Sequence, residues 1–245
     1  MVQDLHSHTY YSFCGADRPD DVIEAAINGG IDILGITDHN YGIGFQHPSV
    51  KFESEKAQIH LYQTRLWQYY DHISALADKY RDKIRLVCGI EICTIDAGYT
   101  LLPSDVDVSM FDYCLIENLD AAETKMSDLF AFAQRCGCKH KGIAHTNLPA
   151  YLTKKQMNLF DFFRRMADEN IFWELNVNYD SIHQFREHEY VNQFFENPWL
   201  IDIVRKSGVN ISVGFDGHRV ADYLPARVVE TCRKLERLEI PLVEV

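Results

Sequence analysis

The stretch V-Q-D-L-H-S-H-T, residues 2–9, decides how the rest of the chain reads. As a β-strand its side chains alternate faces with a period of two, so His6 and His8 leave one face side by side, and Asp4 leaves it with them. Two neutral imidazoles converging on one point make a metal-binding arrangement. A His-x-His pair alone carries little weight, because exposed pairs are frequent. The strands that follow decide its meaning.

Downstream, apolar runs of strand length alternate with helical stretches. Pro19 at a first helical turn, a shared face of Val22, Ala25 and Ala26, and the Gly29-Gly30 stop predict a helix over 19–28. Residues 31–37 (I-D-I-L-G-I-T) predict a second strand, followed by a Gly-rich loop over 40–48 of a kind that could serve as a lid. Ile59, Tyr62, Leu66, Tyr69, Ile73, Leu76 and Tyr80 recur every three or four residues and predict one long amphipathic helix over 54–81. Further strands are expected at 83–92, 111–116, 142–144, 171–177 and 209–215. Helices are expected at 125–134, 154–168, 189–205 (interrupted at Pro198) and 226–238. Seven strand–helix units without an internal linker predict an α/β fold, a distorted, TIM-like parallel (β/α)7 barrel formed by residues 1–245 as a single domain. An open doubly wound sheet is the alternative, but no Gly-x-Gly-x-x-Gly follows the first strand.

Metal-binding residue types fall at the ends of these strands. His6 and His8 end the first, His39 the second, Glu91 the third, His145 the fifth, and Asp216 with His218 the seventh. In a parallel barrel those C-terminal ends open on one face, where active sites are built. Any one of them reads equally well as a satisfied polar residue in a turn. Together, carboxylates and imidazoles converging at one mouth require a cation. Mixed nitrogen and carboxylate donors suit zinc, iron or manganese rather than calcium, and their number exceeds one tetrahedral site, which implies two or three divalent metal ions. Glu91 is the candidate bridging carboxylate.

Composition narrows the class. The chain has 245 residues, 47% of them hydrophobic, and a net charge of −12 from 36 acidic and 24 basic residues. That balance disfavours a nucleic-acid groove, which normally shows a basic stripe, without excluding a small anionic substrate. No basic segment with an apolar run opens the chain and no window is apolar enough to span a membrane, so a cytoplasmic location is expected. Seven scattered cysteines, an odd number, read as reduced thiols.

The motifs resemble those of the PHP (polymerase and histidinol phosphatase) superfamily of metal-dependent phosphoesterases. The likeness runs through D-L-H-S-H-T at 4–9, I-T-D-H at 36–39, G-I-E at 89–91, I-A-H at 143–145, E-L-N at 174–176 and F-D-G-H at 215–218. It implies a two- or three-metal centre and hydrolysis of a phosphate ester by a metal-bound hydroxide. Carried over, it implies that His6, His8, Glu91 and Asp216 hold one metal, that Glu91 and His145 hold a second, and that His39 and His218 hold a third. Asp4 would orient a ligand imidazole.

Two positions depart from the pattern. Where a further His or acidic residue is usual after the first pair, this chain has Cys14, with Asp17 as a rival ligand. Where a His often follows strand four, the chain reads I-E-N-L-D at 116–120, and Glu117, Asn118 or Asp120 could substitute. Cys136-Gly137-Cys138 with His140 has metal-like spacing but lies at the opposite end of its strand, with no second pair to complete a zinc set. Arg186 and Arg219 are candidates to bind the phosphate, and His47 or His183 could reach the mouth. The expected partner is a small phosphorylated metabolite, with histidinol phosphate one possibility. An exonuclease and a non-catalytic metal-binding module are the competing readings.

Overall fold

The computed structural model describes residues 1–44, 53–97 and 100–245. Seven parallel strands lie side by side in chain order: β1 (Gln3–Asp4), β2 (Ile33–Ile36), β3 (Arg85–Cys93), β4 (Tyr113–Glu117), β5 (His140–Ile143), β6 (Ile171–Asn176) and β7 (Ile211–Gly214). The seam between β7 and β1 is bridged: the Leu5 N–H donates to the Val213 carbonyl at 2.9 Å and the Asp216 N–H to that of His6 at 2.7 Å. The sheet thereby curls into the distorted seven-stranded barrel.

Alternation along the strands separates two apolar layers. Leu5, Ile33, Val87, Tyr113, Leu115, Ala144 and Phe172 fill the inside of the barrel. The intervening residues, such as Ile90, Ile92, Cys114, Ile116, Trp173 and Leu175, face outward and pack under the helices. On the inward register of β3, β4 and β6 the apolar residues give way, at the C-terminal end, to Glu91, Glu117 and Glu174. The barrel is apolar at its floor and ionisable at its mouth.

The connecting helices follow their local signals. Helix α1 (Pro19–Asn28) starts on its proline and stops at Gly29. The short α2 (Asn40–Ile43) begins just after His39. Helix α3 (Glu55–Tyr80) is capped by the Ser54 side chain, which accepts from the Ala57 N–H, and buries the Tyr62, Leu66, Tyr69, Ile73, Leu76 and Tyr80 stripe. Next come α4 (Leu129–Cys136), α5 (Leu148–Lys154), α6 (Leu159–Asp168), α7 (Glu189–Glu196), α8 (Pro198–Ser207) and α9 (Pro225–Arg237).

Among the described residues no helix joins β3 to β4; turn chemistry prevails there, as where Asp107 accepts the Ser109 N–H at 2.8 Å. Two features differ from the sequence expectation. The helix expected over 154–168 begins only at Leu159, where Asn158 caps its start at the Asp161 N–H, and the unexpected α5 precedes it with Asn147 as its own cap. The first strand is only two residues long, so His6 and His8 stand beyond it. The lid expected over 40–48 begins as α2, and its remainder from 45 onward, His47 included, lies outside the described residues.

Candidate metal centre

The chain reverses at the ends of its strands, and those reversals carry the site. Asn118 after β4, His145 after β5 and Asp216 after β7 have φ of 62°, 25° and 56°, a left-handed backbone that ordinary residues adopt only where the surroundings impose it. The buried His6, His8, Glu91 and Asp216 meet at the centre. His6 Nε2 lies 3.3 Å from Glu91 Oε1 and 3.4 Å from Asp216 Oδ1, while His8 Nε2 lies 3.1 Å from Asp216 Oδ1 and 3.4 Å from Glu91 Oε2. On the β3–β4 side His39 Nδ1 stands 3.0 Å from Glu91 Oε2 and 3.2 Å from Glu117 Oε1. His145 Nε2 is 3.2 Å from Glu91 Oε1. Glu91 thus touches four imidazoles, as a bridging carboxylate would.

The partners of the outer ring nitrogens settle which way the lone pairs point. Nδ1 of His6 stands 2.8 Å from Glu174 Oε1, and Nδ1 of His218 stands 2.8 Å from Asp180 Oδ2, so each carries its proton there. Nδ1 of His8 faces Ser12 Oγ at 3.2 Å, and that hydroxyl's own proton is engaged with Asp38 at 2.6 Å. In the neutral rings every Nε2 is then a lone pair. Yet the Nε2 atoms of His6 and His8 face each other at 3.2 Å, with two carboxylates beside them. Lone pairs so arranged fit a cation and not one another. The same holds for His39 Nδ1, Glu91 Oε2 and Glu117 Oε1, which are buried and close but lack any aligned hydrogen bond.

Without a cation, protons must offset this charge. Burial opposes protonation of His145 and His218, but Glu91 beside the one and Asp216 and Asp180 beside the other hold them up, at about 9 and about 10. Burial would raise Asp216 and Glu91, but the surrounding imidazoles keep both well below the usual carboxylate range. His8 goes the other way, pushed down to about 3 chiefly by burial.

Five overlapping triads of donor atoms, each within 4.8 Å, result: His6–His8–Asp216, His8–His39–Glu91, Glu91–Glu117–His145, His8–Cys14–His218 and Asp180–His183–His218. All eight metal-ligand candidates, His6, His8, Cys14, His39, Glu91, His145, Asp216 and His218, fall in these groups. Cys14, and not Asp17, faces the centre; Asp17 instead accepts the Val220 N–H at 2.7 Å. Of the three candidates after strand four, Glu117 is the one drawn in.

Two carboxylates went unassigned in the sequence. Glu174, fully buried, accepts from His6 with one oxygen and from the His145 N–H with the other at 2.7 Å. It lies in the E-L-N motif, two residues before Asn176, on the face that β6 turns inward. Asp180 holds His218 and His183 together. Asp4 does not orient an imidazole: it accepts the Phe215 N–H at 2.9 Å, the His6 N–H at 3.3 Å and the Tyr223 hydroxyl at 2.7 Å, and so ties β1 to the end of β7. With β1 so short, the period-two pattern does not reach from His6 back to Asp4.

Arg186 and Arg219 are exposed on the loops after β6 and β7, and among the described residues neither guanidinium forms an ion pair. His183 does approach the mouth, its Nε2 lying 3.9 Å from Asp216 Oδ2. Cys136 and Cys138 are buried in the outer apolar layer before β5, where the Cys138 thiol meets the Val108 carbonyl at 3.1 Å.

Comparison with known proteins places this fold and site in a class. The PHP domain matches residues 4–216, most of the chain, and the chain belongs to that family. Among solved structures, the histidinol phosphate phosphatase from Lactococcus lactis, complexed with zinc, L-histidinol and phosphate, is similar in fold. It has a TM-score of 0.62 and 18% identity, over 99% of this chain and 95% of that one. A structure described as the putative histidinol phosphatase from Listeria monocytogenes aligns over 98% and 93% at 15% identity, with a TM-score of 0.41. No curated protein matches in sequence. Family membership and the donor clusters support a metal-dependent phosphoesterase. Among the described residues no helix is long and apolar enough to cross a membrane.

Proposed function

We propose that the chain is a phosphatase hydrolysing a small phosphomonoester at the mouth of the barrel. The observation that carries this reading is the convergence of the His6 and His8 lone pairs with Glu91 and Asp216, all within 3.1–3.4 Å. His6, His8, Glu91 and Asp216 would hold one cation, Glu91, Glu117 and His145 a second, and Cys14, His39 and His218 a third. Two or three zinc, iron or manganese ions bound there supply neutralisation of the phosphoryl oxygens and acidify water toward neutral pH.

The protein's own contribution is orientation and access. Glu174 and Asp180 keep Nε2 of His6 and His218 turned to the centre. His145 and His183, only partly buried, edge the side from which substrate enters. Arg186 and Arg219 are assigned to the phosphate oxygens, which a guanidinium grips with two parallel hydrogen bonds. The net charge of −12 favours a small anion handled by local cations over a nucleic-acid chain. Histidinol phosphate is a substrate to try first, given the ligands of the Lactococcus protein.

The test is turnover by the zinc-, manganese- or iron-loaded protein on histidinol phosphate, sugar phosphates, nucleoside monophosphates, a phosphodiester and a single-stranded oligonucleotide. Monoester hydrolysis is expected, lost in Glu91→Ala and Asp216→Ala while circular dichroism stays unchanged. Turnover confined to the diester or oligonucleotide would replace the reading with an exonuclease. Bound metal without any turnover would replace it with a non-catalytic module.

A further inference from the structure

The donors are unequal across the cluster. At the β3–β4 side, Glu91, Glu117 and His145 offer two carboxylates and one imidazole. At the β7–β1 side, His8, Cys14 and His218 offer two imidazoles and a sulfur, with donor atoms again within 4.8 Å of one another. Donors of a tetrahedral zinc site stand roughly 3.3–3.8 Å apart, from bonds of about 2.0–2.3 Å, so a closure of about 1 Å would complete the set.

Cys14 is held there by more than chance. Its loop, which follows β1, is pinned to the loop after β7 by the Ala16 N–H on the His218 carbonyl at 3.0 Å and the Val220 N–H on Asp17 at 2.7 Å. Within the loop the Tyr10 N–H donates to the Asp17 carbonyl at 2.9 Å. The turn is so tight that a Cβ on Gly15 would fall 2.1 Å from the Thr9 carbonyl oxygen, which only glycine avoids. These contacts set the sulfur between His218 and His39.

We infer that the centre has a soft end and a hard end: Cys14 with His39 and His218 selects zinc, whereas Glu91, Glu117 and His145 accept manganese or ferrous iron, giving a mixed-metal centre. Thiolate favours zinc over manganese far more than carboxylate does, so the two ends discriminate differently even though zinc in excess can fill both. The inference rests on the metal-centre reading above and assigns its chemistry end by end.

Cobalt(II) tests it directly, because a cysteinate ligand gives cobalt an intense near-ultraviolet charge-transfer band that nitrogen and oxygen donors do not. Among the described residues no other cysteine belongs to a donor triad, so the band reports Cys14. Metal-free protein titrated with cobalt should develop the band, and Cys14→Ser should lose it while still binding cobalt at the hard end. In a second measurement, zinc-loaded protein is dialysed against a large excess of manganese, desalted and counted by elemental mass spectrometry. The wild type should keep one zinc per chain beside manganese, and Cys14→Asp should lose that zinc to manganese.

Cobalt binding without the band, a band that survives in Cys14→Ser, or identical zinc-to-manganese ratios in wild type and Cys14→Asp would overturn the inference and leave the phosphatase reading standing. If cobalt does not bind at all, the metal-centre reading falls with it.

Discussion

Replacing Glu174 by Gln changes one atom and sets two demands against each other. One carboxylate oxygen takes the Nδ1 proton of His6 at 2.8 Å. The other takes the His145 N–H at 2.7 Å and the Asn176 side-chain amide at 3.2 Å. A glutamine has one acceptor oxygen and one amino group, so one side must be given up. Turning the amino group to His145 and Asn176 opposes donors twice; turning it to His6 opposes a donor once and can be relieved by moving the His6 proton to Nε2. The second arrangement wins, and it removes the lone pair that His6 aims at the centre. Loss of such a supporting hydrogen bond costs about 10- to 100-fold in metal affinity, or roughly 1.4–2.7 kcal/mol. The assay is competition for metal against a chelator of known affinity, with elemental analysis of what remains bound. Thermal unfolding of the metal-free Glu174→Gln protein controls for folding. Retention of metal at wild-type affinity would refute the lone-pair argument.

Gly214→Ala should reproduce this loss by another route, because its Cβ would fall 2.2 Å from Glu174 Oε1 and 2.5 Å from the His6 Cβ; metal content per chain reads it. Metal binding should release protons at pH 7, because His145 and His218 hold theirs in the metal-free protein up to about pH 9 and about pH 10. Apparent affinity should therefore rise with pH and level off near those values, as calorimetry in buffers of different ionisation enthalpy would register. Trp173→Ala should cost about 3–5 kcal/mol in urea unfolding: the ring is fully buried against Phe163, Tyr190 and Phe194 and donates to the Thr146 carbonyl. Ser54→Ala should cost about 0.5–2 kcal/mol by removing the cap of α3, with no effect on metal content.

What the sequence made legible was local or periodic. Pro19 and Gly29 bracket α1, and the apolar stripe of α3 points inward, because caps and periodicity act over a few residues. The donors were legible because parallel strands bring their C-terminal ends to one face, so a ligand type at the end of a run already has its address. Glu174 and Asp180 were not, because their roles lie in which ring nitrogen they face, 168 and 38 residues away in the chain. Asp4 misled for the opposite reason: its neighbours suggested a strand that tertiary closure cut short at Asp4. Alpha-helix α5 was hidden because L-P-A-Y has too short a period to declare itself beside the turn that breaks it from α6.

The seam between β7 and β1 has a consequence for the order in which the molecule is made. His6 and His8 emerge among the first residues of this sequence, whereas Asp216 and His218, which meet them, are more than two hundred positions later. Through most of synthesis the early imidazoles and Glu91 lack the carboxylate that completes their set. Contacts of such long separation are slow to form, because a long chain must be closed before they bring any gain. A metal ion captured early by the first pair would meet only a partial shell, and full occupancy waits on the last strand. On the metal-centre reading, a ribosome-stalled product ending before β7 should bind metal weakly however well its earlier strands have formed.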